Sequence, residues 1–188
     1  LFYEKVLDYY HRYAKQVQYG LLGLVALIII SVLMIRSKKK AELVASANLG
    51  LAQQSVFMGD YNSAIQKLED IIASYQGTES AGEATFYLAN IHFSRDSLFK
   101  AENFYRTYLK KYKDDPLYTS SSMAGIAASL DSREQFSEAA EWYEKAFRAQ
   151  EASFLASEYL WNGARCHRKA GNSGKNKELL DRLKEKYP

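Results

Sequence analysis

Cysteine is nearly missing from these 188 residues: Cys166 stands alone, so the chain closes no internal disulfide. Proline occurs twice and glycine ten times, too few to interrupt long helices. The three histidines, His11, His92 and His167, include no pair at metal-ligand spacing on one helix face. Cys166 and His167 are adjacent and point apart on a helix, which leaves Cys166 as a small buried residue. There is no glycine loop to cradle a phosphate and no Gly-x-Ser-x-Gly turn. Glu138, Glu141 and Glu144 are spaced as one solvated helix face. We therefore expect no enzyme, no cofactor and no metal.

A basic face is also lacking. Residues 1–40 hold seven of the 25 basic residues and two of the 22 acidic ones, so the remainder carries a net charge of −2. A nucleic-acid footprint needs clustered Lys and Arg on the folded domain, and nucleic acid is not expected as a partner.

One long apolar run is present. Residues 21–35 (LLGLVALIIISVLMI) contain no charge, and adding 17–20 gives 19 residues. That length suffices for the roughly 30 Å hydrocarbon core at about 1.5 Å per residue. Tyr19 then sits at one interface, Leu21, Ile28 and Ile35 face lipid, and Arg36 snorkels at the other end. Arg36, Lys38, Lys39 and Lys40 are placed to meet anionic headgroups. About 20 residues precede the run and no small-residue cleavage site follows it, which favours an uncleaved anchor over a signal peptide. Ahead of it, Tyr3, Val6, Tyr10, Tyr13 and Val17 recur at helical spacing opposite Lys5, Asp8, Arg12 and Lys15. This is an amphipathic helix suited to a membrane surface or a partner helix, or simply an extension of the anchor.

What dominates the rest is repetition. A small residue recurs at Ala52, Ala89, Ala127 and Ala164, at spacings of 37, 38 and 37. Twelve residues after each come Ala64, Ala101, Ala139 and Asn176, and four further on Leu68, Tyr105, Tyr143 and Leu180. A fixed period of this size means stacked helical pairs. Small residues let two helices approach, and the large residue fills the adjoining gap. In the first unit Ala47, Leu51, Ala52 and Ser55 are expected on one face, with Gly59 and Asp60 as the turn. Asp114 and Asp115 offer a cap to a helix that has Pro116 in its first turn.

These residues resemble the tetratricopeptide repeat (TPR) family. GDYNSAIQKLEDII (59–72) and FSEAAEWYEKAF (136–147) match its turn and second helix, and YLANIHF (87–93) its first helix. Repeat four departs, with Asn176 at a small-residue position, as a capping unit would. The layout of amphipathic start, anchor, basic stub and repeats, with GTESAGEATFYLANIHF (77–93), is similar to the YfgM-like ancillary subunits of the bacterial Sec translocon. That resemblance implies an inner-membrane anchor and a periplasmic repeat domain that assists exported chains; the flanking charges alone lean weakly towards a cytoplasmic domain.

The expected fold is all-α. An N-terminal amphipathic segment (1–18), a transmembrane helix (19–36) and a basic linker (37–44) precede a TPR-like α-solenoid (45–188). Its four pairs fall near 45–78, 80–115, 117–150 and 155–188. In the resembling family the first helices line a groove for a protein partner. Position by position this puts Leu49, Gln53 and Phe57 on the groove, then Phe86, Asn90 and Phe93, then Ser121, Ala124 and Ala128, then Trp161, Arg165 and Arg168. Glu83 and Glu158 stand where a carboxylate-binding clamp would be basic, so an acidic C-terminal peptide is not expected. The expected function is a membrane-anchored interaction scaffold, chaperone-like, on a membrane complex in the bilayer, by resemblance the translocon. Two alternatives are a structural accessory subunit of another membrane machine, such as an outer-membrane assembly, respiratory or photosynthetic complex, and a self-assembling membrane organiser.

Overall fold

The structure, a computed structural model, describes residues 2–113 and 115–187, without the side chains of residues 2, 4–11 and 14. Among the described residues there are eight helices and no strand. They are α1 (Phe2–Phe57), α2 (Tyr61–Ser74), α3 (Glu79–Ser94), α4 (Leu98–Lys111), α5 (Pro116–Ser132), α6 (Phe136–Ala149), α7 (Ala156–Lys169) and α8 (Ser173–Lys186). The chain divides into two units, Leu1–Leu43 and Val44–Pro188.

The first unit is the front of α1. It contains a stretch long and apolar enough to cross a membrane, none of it buried within the protein. Within it Ser31 Oγ donates to the Leu27 carbonyl at 2.8 Å. Residues 37–44, expected as a basic linker into the first helix, are helical and part of α1. Of the amphipathic segment, Tyr3, Arg12, Tyr13, Lys15 and Val17 are exposed; the side chains of Lys5, Val6, Asp8, Tyr10 and His11 lie outside the described residues.

In the second unit the end of α1 pairs with α2, then α3 with α4, α5 with α6 and α7 with α8. Ala52, Ala89, Ala127 and Ala164 are fully buried, as are Ala64, Ala101 and Ala139. Behind these contacts lie Leu68, Tyr105 and Tyr143, so the small-then-large spacing is the packing of each pair. Gly125 takes the principle to its limit: a Cβ there would stand 2.3 Å from Cζ of Tyr105. The core runs along the array as three apolar clusters.

Each first helix ends alike. Gly59, Asp96, Glu134 and Gly171 have φ of 75°, 57°, 62° and 79°. After each, a backbone N–H reaches five residues back: Asp60 to Ser55, Ser97 to His92, Gln135 to Leu130 and Asn172 to His167, at 2.8–2.9 Å. This left-handed closure satisfies carbonyls the helix leaves open. In the outer units a capping side chain follows, Asp60 accepting from Ser63 N and Asn172 from Lys175 N. Ser97 and Gln135 make no such bond. Asp115 caps α5 by accepting from Tyr118 N at 2.9 Å, with Pro116 at the start of the helix; Asp114 lies outside the described residues.

The first repeat departs from the expected face. Ala45, Leu49 and Ala52 are buried, while Ala47 and Leu51 are exposed. Later first helices bury one face on their own partner and another on the preceding repeat. The Leu51 face has no repeat before it.

Candidate protein-binding surface

Among the first helices α3 lies against α5, and α5 meets α7 through Ser121 with Tyr159 and Asp131 with Arg165 and Lys169, so the side chains between their core faces form a strip. At its start, Leu49 is packed in the core with Ala45 and Leu68 and does not reach the strip, a correction to the expected placement. Gln53 is half-buried. Phe57, the last residue of α1, is 91% exposed.

On α3 the expected residues are drawn into inter-repeat packing. The Phe86 ring meets Tyr118 of α5 edge-on at 5.0 Å, and Tyr105 at 5.9 Å. Asn90 accepts from the Tyr105 hydroxyl at 2.5 Å, which fixes the ring that Gly125 leaves room for. Phe93 is half-buried on the middle cluster. The Tyr118 hydroxyl donates to Glu83 at 3.0 Å. Burial, then that bond, push the phenol well above its ordinary pKa.

On α5, Ser121 shares a 3.4 Å contact with the Tyr159 hydroxyl, and Ala124 and Ala128 are half-buried. On α7 the surface opens. Trp161 is 54% exposed, and Arg168 and Glu158 are exposed. Arg165 binds Asp131 of α5 at 2.5 Å, and Lys169 binds the other carboxylate oxygen at 3.1 Å. Burial alone would raise the Asp131 carboxyl; the hydrogen bonds and charges of Arg165 and Lys169 outweigh it and hold it below the ordinary value. Cys166 behind this pair is buried, its thiol pushed up to about 11 mainly by burial.

The strip is thus closed in its middle by aromatic packing and open at two places, around Phe57 and around Trp161 and Arg168. Exposed indole and guanidinium groups are the side chains most often found as binding anchors. Tyr118 and Asp131 were not foreseen. Asp131 carried a signal: an acid in the last turn of a helix opposes the helix dipole and calls for a cation from elsewhere.

Such a unit of stacked helical pairs is a TPR-like α-solenoid. No family model matches the chain, and no curated protein matches it. Solved structures do. BtubC (BKLC) from P. vanneervenii superposes with a TM-score of 0.68 over 77% of this chain, at 17% identity. This chain covers 63% of BtubC's length. A MamA structure gives a TM-score of 0.63 at 17% identity, over 80% of this chain and 85% of its own. A kinesin light chain from Podosopora anserina with nearly identical TPR-like repeats gives 0.59 at 17% identity, over 73% and 72%. At such identities the likeness shows the fold alone.

Proposed function

We propose that this chain is a membrane-anchored, non-enzymatic interaction scaffold of the bacterial inner membrane. Its apolar helix segment sits in the bilayer, with Tyr19 at one interface, Leu21, Ile28 and Ile35 in lipid, and Arg36, Lys38, Lys39 and Lys40 at the headgroups. Its repeat domain holds a protein partner on the strip of first helices, anchored at Phe57 and at Trp161 with Arg168. The observation that carries this reading is the pairing of a wholly unburied apolar segment with a TPR-like array whose first-helix surface opens at those side chains. By the resemblance of its layout, the complex it attends is the Sec translocon, its domain is periplasmic and its clients are exported chains.

The test is purification of the full-length protein from gently solubilised native membranes, with mass spectrometry of what accompanies it. Translocon subunits with a spread of exported chains are expected, and the clients are expected to fall away in Trp161→Ala/Arg168→Glu. One other complex at fixed stoichiometry would overturn the translocon assignment and make the chain a structural subunit.

A further inference from the structure

We propose that the open face of the first repeat docks a second copy of this chain, closing a twofold dimer. In the second repeat Ala81, Ala84, Thr85, Leu88 and Ile91 are all buried, on the side of α3 that meets α2. The positions 37 earlier are Val44, Ala47, Asn48, Leu51 and Gln54; Asn48 is half-buried and the other four are exposed. Leu88 is 0% exposed and Leu51 is 53% exposed. In the third and fourth repeats Ile126 and Gly163 hold the Leu51 position; Ile126 is 0% exposed and Gly163 is buried. Beside Leu51 lies a cavity of 390 Å³ between α1 and α2, whose wall includes Asn48, Lys67, Asp70 and Ser74.

The occupant is not another repeat of the same kind. Arg95 and Arg133 sit at one repeat position and reach back to Asn62 and Glu102 of the repeat before. The fourth repeat has Ala170 there and reaches back instead through Arg165 and Lys169 to Asp131; the first repeat holds Met58, Gln53 and Phe57 at these three positions, none of them a cation. Head-to-tail stacking lacks a seat too, because the far end of the array is polar: α8 buries only Leu179, and Lys177, Glu178, Asp181, Lys184 and Glu185 are exposed.

The face is, however, complementary to itself. Leu51 and Val44 give an apolar centre. Lys67, half-buried and donating to Ser55 Oγ at 2.7 Å, and the exposed Asp70 put one cation and one anion three residues apart on its rim. Asn48 donates and accepts, and so does Ser74. A twofold axis sets such a surface against its own copy with apolar on apolar and opposite charges in reach, and it closes after two subunits. A partner of one strong charge would leave Lys67 or Asp70 opposed by its like.

The experiment uses the full chain in detergent micelles, with mass measured by sedimentation and native mass spectrometry. The wild type is expected as a dimer. Leu51 is exposed, so Leu51→Glu is expected to keep its helicity while weakening the dimer at least about tenfold. Lys67→Asp is expected to weaken it as well, and Lys67→Asp/Asp70→Lys to restore it. In a Cys166→Ala background, oxidation in membranes is expected to link Leu51→Cys to itself and to leave Lys177→Cys single. A monomer at all concentrations, a dimer indifferent to Leu51→Glu, or Leu51→Cys linking to a different protein would each overturn the proposal.

Discussion

The side-chain amide of Asn176 donates to the carbonyl oxygen of Ala164 at 2.9 Å. These two residues stand twelve apart, where the other repeats place Ala against Ala. The last repeat thus substitutes a hydrogen bond for close apolar contact, with Asn176 itself half-buried. Asn176→Ala should cost about 1 kcal/mol, the net worth of one such bond. Asn176→Leu should cost more, because its branched side chain would meet the α7 backbone. Thermal melts of the two variants, followed by circular dichroism, check the order.

Gly125→Ala should destabilise by about 1–3 kcal/mol, the usual cost of overpacking. Its methyl would collide with the Tyr105 ring, which the bond to Asn90 prevents from swinging aside. Urea titration of full-length protein measures this. An unchanged midpoint would mean that the ring moves freely.

Glu134 adopts a left-handed backbone at a position where the first and last repeats place glycine. Glu134→Gly should stabilise by roughly 0.5–1 kcal/mol through relief of that strain. Gln135→Asp should add about 1 kcal/mol by supplying the missing cap of α6. The double variant is expected to melt above either single one.

Asp131 has a carboxyl held below its ordinary pKa in the folded state. A depressed pKa contributes stability that is present above the unfolded value, about 3.9, and is lost as pH falls through the folded value. Asp131→Asn should therefore flatten the acid limb of the stability profile below about pH 4 while lowering stability at neutral pH. Arg165→Met should flatten the same limb. A wild-type acid limb in both would remove Asp131 from the account.

The stacked pairs were legible because packing leaves a periodic trace: Ala52, Ala89, Ala127 and Ala164 are small for one steric reason. The turn of Gly59 was equally plain. The matching turns at Asp96 and Glu134 were hidden, since neither residue advertises a left-handed backbone and only the shared period reveals them. The fate of Leu51 and Leu49 was not readable either. Both are leucines on one helix, and which is buried depends on whether a repeat precedes them, a fact of the neighbours and not of the helix. Phe86 and Trp161 hold the same repeat position, yet one is enclosed by Tyr118 and the other is open, because only α3 has a further first helix and its tyrosine alongside.

The ties between repeats gather on one edge of the array. Arg95 to Asn62, Arg133 to Glu102, and Arg165 and Lys169 to Asp131 all lie beside the turns that join first to second helices. The other edge is joined by hydroxyl contacts, such as Ser121 with Tyr159 and Tyr118 with Glu83, and, between the third and fourth repeats, by the pairing of Arg182 and Lys186 with Glu151. Dissolved salt weakens partly exposed ion pairs and leaves ring packing untouched. Over the first three repeats ionic strength would then loosen one border more than the other, so that the solenoid's curvature, and with it the grip on whatever it holds, becomes tunable without any change in its core.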